Sequence, residues 1–344
     1  MIDPTTTKMY AEAAEAADAV ERQFTANAGV IDALVARLKQ APPRFIVTCA
    51  RGSSDHAATY GKYLFETTLG LVTASASPSV GSVYAVQPQL DGALFVVISQ
   101  SGKSPDLLRN AEIAKAAGAI VVALVNVADS PLARLADTVI PLRAGPENSV
   151  AATKSYLCSL AALLQLAARW SGDAALLAAI EELPEAMRAA WRQDWSSLVS
   201  GLRLAQNLFV LGRGLGLAAA QEAALKFKET CGLHAEAFSS AEVKHGPMAL
   251  VGADFPVLAF AQDDDTGAST AAIASEFRAR GAPVWLALPG AQGAGVLPLP
   301  APRHPACTPL LTVQAFYGAV NALAVARGHN PDVPPHLNKV TETV

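Results

Sequence analysis

At 344 residues, with 51% hydrophobic and 16% charged positions, the chain is long enough for two compact cores and too apolar for disorder. A formal net charge of −4 and the lack of any clustered basic run exclude a nucleic-acid partner. Residues 1–24 are acidic and hold no apolar signal core, and no stretch of about 18 apolar residues escapes interruption by charge, Gly or Pro. No membrane span is expected, and the expected location is the cytoplasm.

Residues 8–40 are rich in Ala, Glu and Leu at helical spacing and close at Pro42-Pro43, which predicts an N-terminal helical segment. Short apolar runs then alternate with amphipathic stretches. "RFIVTCA" (44–50), "ALFVVIS" (93–99), "AIVVALVN" (119–126) and "DTVIPL" (137–142) read as strands, with helices predicted over 55–70 and 105–118 between them. Strands that are apolar throughout, separated by helices, indicate a parallel sheet covered on both faces. Cys49, Cys158, Cys231 and Cys307 show no CxxC spacing and are expected to be reduced packing residues.

The pattern then recurs. "FIVTCARGSS" is answered by "LFVLGRGLG", and Arg213-Gly214 lies 162 residues after Arg51-Gly52. Gln262 follows Gln100 at the same offset, and Gly281 follows Gly118 at 163. The expected fold class is therefore α/β: two tandem doubly wound parallel-sheet domains from an internal duplication, with an N-terminal helix and an extended C-terminal tail. The expected divisions are 1–40 for the helical segment, 41–185 and 186–328 for the two domains, and 329–344 for the tail.

"SQSGKSPD" (99–106) resembles the end of a nucleotide P-loop, but the first glycine of that loop would fall at Val97, inside a strand, so no triphosphate cradle is expected. A strand-to-helix turn rich in hydroxyls suits a single phosphate instead. Ser99, Ser101 and Ser104 supply donors there, with Ser53 and Ser54 at the equivalent turn one strand away. The ordinary alternative is a set of helix-capping serines. The second copy has "AQDDDTG" at the matching place, which is hostile to an anion.

In the second copy Glu222, Lys226 and Glu229 fall on one helix face, either a solvated ion-pair face or a proton carrier in a cleft. His245 stands before Gly246-Pro247, displayed on a turn. "LGRGLGL" has Leu217 where a dinucleotide fingerprint needs glycine, and "HAE" (234–236) has no partner ligands, so neither a nicotinamide cofactor nor a metal is expected. Lys339, in the Pro-rich tail, has the chemistry to form a Schiff base if the tail is ordered over the site.

Together "SQSGKSPD", "AATKSY", "ALKFKE…HAEAFSSAEVKHGPMAL" and "DVPPHLNKVT" resemble the sugar isomerase (SIS) family, in the family's order and over roughly residues 40–344. The branch it resembles is the isomerase half of glucosamine-6-phosphate synthase and its stand-alone relatives, with a flavodoxin-like fold. The resemblance implies a sugar phosphate held by Ser54, Ser99, Gln100, Ser101 and Ser104, with Ser53, Glu147 and Val150 lining the sugar pocket. It implies proton transfer by Glu229 beside Lys226, ring opening by His245, a Schiff base at Lys339 and no cofactor. In relatives the histidine comes from the neighbouring subunit, so a homodimer with shared active sites is expected.

Two departures qualify the resemblance. Lys103 stands where the synthase has an acidic residue. Ile2 stands where the synthase's glutaminase domain has its nucleophilic cysteine, which shifts the expected reaction from amination to ammonia release: glucosamine 6-phosphate to fructose 6-phosphate. The alternatives are a deglycase, an isomerase of another amino-sugar phosphate, or a non-catalytic phosphosugar sensor.

Overall fold

The computed structural model describes residues Ile2–Lys339. Thr7 opens the first helix, its hydroxyl accepting from the Tyr10 amide. The helices α1 (Lys8–Ala14) and α2 (Ala16–Gln40) replace the single one expected over 8–40. Glu15 between them has ψ of −9°, which interrupts the regular hydrogen-bond ladder. The first copy then runs β1 (Phe45–Cys49), α3 (Ser53–Leu69), β2 (Thr73–Ser75), α4 (Pro78–Ser82), β3 (Ala93–Ser99), α5 (Pro105–Ala116), β4 (Ile120–Val125), α6 (Pro131–Leu135), β5 (Thr138–Pro141) and α7 (Lys154–Ser171). After α8 (Ala174–Trp191) and α9 (Ser196–Leu202), the second copy runs β6 (Asn207–Gly212), α10 (Gly216–Cys231), β7 (His234–Ser239), β8 (Val257–Phe260), α11 (Gly267–Ala279), β9 (Val284–Pro289), β10 (Val296–Leu299) and α12 (Thr308–Ala326).

Each copy forms one five-stranded parallel sheet, in the orders β2-β1-β3-β4-β5 and β7-β6-β8-β9-β10. These are the same doubly wound order, so the duplication legible in the sequence is a duplication of topology. The helices α5 and α11 start at Pro105 and Gly267, which keeps the 162-residue offset across the sheets.

By contact the chain divides into two units. One holds Asp18–Glu147, Lys154–Leu177 and, in the tail, Asn338 and Lys339; the other holds Ile2 to Ala17, Asn148–Thr153 and Ala178–Leu337. Residues 340–344 of the expected tail lie outside the described residues.

In the first unit, Val47, Cys49, Phe95, Val97, Val121, Ala123 and Val125 present alternate side chains to Leu107, Ala111 and Ala114 of α5. On α3, a β-carbon at Gly61 would lie 3.2 Å from Leu163 of α7, so glycine sets how closely these helices pack. In the second unit, Phe209, Leu211, Val257, Ala259 and Leu286 pack against Ile273 and Phe277 of α11. Phe227 of α10 meets Phe316 of α12 with ring centroids 5.1 Å apart. Residues 305–326, which include α12, are long and apolar enough to cross a bilayer, but 83% of that window is buried inside the fold. Its Thr312, Gln314, Tyr317 and Asn321 all donate hydrogen bonds there, as a core helix requires.

Candidate active site

In a doubly wound sheet a ligand crevice opens where the strand order reverses. In the first unit that point lies between β1 and β3, whose carboxyl ends lead into residues 50–52 and 100–104. The second of these loops is a tight turn. Ser99 Oγ accepts from Gly102 N (3.1 Å), and Ser101 Oγ accepts from Lys103 N (3.3 Å). Each hydroxyl thus accepts from one backbone amide, and among the described residues neither has an acceptor for its own proton. Gly102 has φ of +62°, and a β-carbon there would collide with Ser130 Oγ, so the turn demands glycine on both counts.

Ser104 occupies the N-cap of α5, yet its side chain makes no capping bond. The capping alternative therefore does not account for Ser104. The positive end of the α5 dipole faces this loop, while in the first turn Leu107 N donates to Asp106 Oδ1 (2.8 Å) and Leu108 N to Ser104 O (3.0 Å). Gln100 is half-buried and its carbonyl accepts from Asn126 N (3.2 Å); Ser53 and Ser54 form the half-buried start of α3.

A charge pair tied to this crevice had no sequence signal. Arg51 Nε donates to Asp106 Oδ2 at 2.7 Å; the Asp106 side chain is fully buried and that of Arg51 is 48% exposed. Cys49, at the end of β1, is not a nucleophile: burial first, and then the Asp106 charge, push its thiol up to about 12.

Lys339 and Glu147 also meet in this unit. Lys339 Nζ lies 3.4 Å from Glu147 Oε2, which also accepts from Ser155 Oγ (2.6 Å), while Oε1 accepts from Ser155 N (3.1 Å). The carboxylate is fully buried and the lysine about one-quarter exposed, so the tail lysine is held rather than solvated.

The second unit carries the other charged array. On α10, Lys226 Nζ lies 3.2 Å from Glu222 Oε1 and 2.6 Å from Glu229 Oε2. Glu222 and Lys226 are buried, whereas Glu229 is 22% exposed, so one end of the chain of charges is open. Tyr317 of α12 donates to Glu222 Oε1 at 2.9 Å. Burial opposes the Lys226 charge, but the two carboxylates outweigh it and hold its pKa well above the ordinary lysine value. The lysine is a fixed cation. Tyr317 was invisible to sequence reasoning, because it is 95 residues from Glu222 and sits in an apolar helix.

His245 ends a 3-10 turn, Glu242–His245, and is exposed; Gly246 follows with φ of +138°, a value that keeps the turn glycine-specific. Val150 N donates to Asp332 O (3.2 Å), and Asp332 also accepts from Lys8 N and Met9 N at 2.8 Å each, capping α1. Its segment is further pinned by Glu12, which accepts from Asn148 N and Ser149 N.

With this geometry in view, comparison with known proteins is decisive for the family. The model of the SIS domain matches residues 41–169 and 201–293, one match in each copy. The chain belongs to the SIS domain family.

Among curated relatives, this SIS chain is 36% identical over 316 residues to the glutamine–fructose-6-phosphate aminotransferase (isomerizing) of Aeropyrum pernix, covering 84% of this chain and 49% of that protein. It spans about half the length of the curated relatives it matches. Among solved structures, a candidate phosphosugar isomerase from Silicibacter pomeroyi superposes with a TM-score of 0.91 at 46% identity, covering 95% of this chain and all of that one. The C-terminal domain of glucosamine-fructose-6-phosphate aminotransferase from Francisella tularensis superposes with a TM-score of 0.85 at 27% identity, covering 96% and 98%.

Proposed function

We propose that this SIS chain is an aldose–ketose isomerase of phosphorylated amino sugars that releases ammonia, converting glucosamine 6-phosphate and water to fructose 6-phosphate and ammonia. The observation that carries the reading is the Glu222–Lys226–Glu229 array. It places a part-exposed carboxylate beside a permanently charged lysine, the polar equipment for moving a proton between neighbouring carbons.

The sugar phosphate docks on the hydroxyl turn of Ser99, Ser101 and Ser104, with Ser54 and Gln100 beside it. Ser53, Glu147 and Val150 are assigned to the sugar. Glu229 takes the proton from C2 of the open-chain amino aldose and returns it to C1. The C=N bond then lies at C2, and its net hydrolysis releases ammonia and leaves the ketone. Lys226 stabilises the charge that develops on the enolamine oxygen. Lys339 is assigned to a transient imine at C2, its amine displacing ammonia and water then cleaving the lysine imine to the ketone and the free amine, and its contact with buried Glu147 supports a fixed rather than a free amine. His245, exposed on its turn, is assigned to ring opening in the site of a second copy, in a homodimer.

Ammonia and fructose 6-phosphate are measured with glucosamine 6-phosphate as substrate, with Lys339→Ala as control. Ammonia from wild type and much less from the variant supports the reading. Phosphosugar binding without turnover of any amino-sugar phosphate sinks it in favour of a sensor. Sedimentation then reads the dimer, and a monomer with full activity removes the shared role of His245.

A further inference from the structure

The phosphate turn as described offers neutral donors and a helix terminus, yet the fold also puts a buried carboxylate, Asp106, in the first turn of the same helix. An unbalanced carboxylate there would repel a phosphate. A counter-charge comes from the other loop of the crevice, through Arg51. The contact is made through Nε, and among the described residues Asp106 is the one side chain to which Arg51 donates a hydrogen bond, with the Asp55 charge also within its electrostatic reach. Where an arginine serves only to neutralise a carboxylate, two parallel N–H···O bonds are the favoured geometry. Here one bond orients the guanidinium, and the edge bearing both Nη groups stays available.

The backbone supports this placement. Arg51 precedes Gly52, whose φ of +56° turns the chain from β1 into α3, so the arginine leaves from a fixed corner. Asp106 Oδ1 is fastened by its own helix, accepting from Leu107 N at 2.8 Å. The guanidinium thus bridges the two loops that flank the switch point of the sheet.

We infer that Arg51 is the cationic arm of the phosphate site: Asp106 holds it by Nε, and its two Nη groups take two oxygens of a terminal phosphate monoester. This assignment rests on the phosphate reading of the hydroxyl turn. It makes the site selective for phosphorylated over neutral sugars through one directed charge, in addition to the serine donors.

Titration calorimetry with glucitol 6-phosphate and with glucitol tests this in wild type, Arg51→Gln, Arg51→Lys and the double variant Arg51→Gln/Asp106→Asn. Ser101→Ala is the positive control, and circular dichroism checks folding. Arg51→Gln is expected to weaken glucitol 6-phosphate binding about 10- to 100-fold, with Arg51→Lys between it and wild type. The double variant, which removes the Asp106 charge together with the arginine, is expected to stay as weak as Arg51→Gln. Recovery of wild-type affinity in the double variant would overturn the proposal, because Arg51 would then only neutralise Asp106. Wild-type affinity in Arg51→Gln with weakened Ser101→Ala would also overturn it, leaving the phosphate turn standing without the arginine. No binding of glucitol 6-phosphate by the wild-type protein would overturn both.

Discussion

The two strand-reversal points are copies of one design whose loop amides are taken up by hydroxyls in one copy and by a carboxylate in the other. Ser101, Gly102, Lys103 and Ser104 in the first copy correspond, 162 residues on, to Asp263, Asp264, Asp265 and Thr266 in the second. In the second loop Asp264 Oδ1 accepts from both Thr266 N (2.8 Å) and Thr266 Oγ1 (2.6 Å), so its donors are consumed within the loop. In the first copy the Ser104 side chain makes no capping bond, and Asp106, in the first turn of α5, pairs with Arg51. The equivalent arginine, Arg213, instead donates to a neutral hydroxyl, Ser269 Oγ, at 3.0 Å. The same fold therefore presents hydroxyls and an arginine–aspartate pair at one reversal point and carboxylates at the other. Helix α10 of the second copy, in turn, bears the buried charges that its counterpart α3 lacks.

The strongest way to test this division of labour is Glu229→Gln. Turnover should fall about a hundred- to ten-thousand-fold while phosphosugar binding persists, as read by kinetics alongside calorimetry. Lost binding would mean that the α10 array holds substrate rather than moves its proton.

A smaller effect comes from grafting the second loop's acid onto the first with Ser101→Asp. A like charge facing the phosphate should weaken phosphosugar binding roughly a hundredfold or more and leave the fold intact. Unchanged affinity would show that the contrast between the loops has no bearing on anion binding.

Smaller still is Tyr317→Phe, which removes one donor to Glu222 while Lys226 remains. A stability loss of about 1–2 kcal/mol is expected by denaturant unfolding. If Tyr317 also positions the array, kcat should drop a few-fold with KM unchanged; a change in stability alone would assign it to packing.

The smallest expected effect is that of pH on Lys226. Its folded pKa is raised, so the stability it contributes is complete below its unfolded value, ordinarily 10.5, and is lost only as pH climbs through the higher folded value. No limb of the activity profile between about pH 6 and 9 should come from this lysine. A limb in that window that vanishes in Lys226→Met would contradict a fixed cation.

Much of the fold was legible because its core strands are unambiguous. β1, β3, β4 and β5 are short apolar runs bounded by turns, and all were anticipated to within a residue or two. β2, β7 and β10 were not. β2 is three residues long with one buried side chain, and β7 sets exposed His234 and Glu236 on one face, so neither carries the pattern of a strand buried on both sides. All three are sheet-edge strands, defined by the neighbour they pair with.

The site divides on the same physical line. The sequence by itself determined the duplication, the hydroxyl-rich turn, and the helical spacing that aligns Glu222, Lys226 and Glu229, because each is read from short local runs of residues. Only the tertiary structure decided that Ser104 does not cap its helix and that Glu222 is buried under Tyr317. It also decided that Lys339 reaches Glu147, 192 residues away, and that Arg51 is held by Asp106, 55 residues on. Burial and long-range pairing set whether a charged side chain is solvated or directed, and no local pattern encodes them.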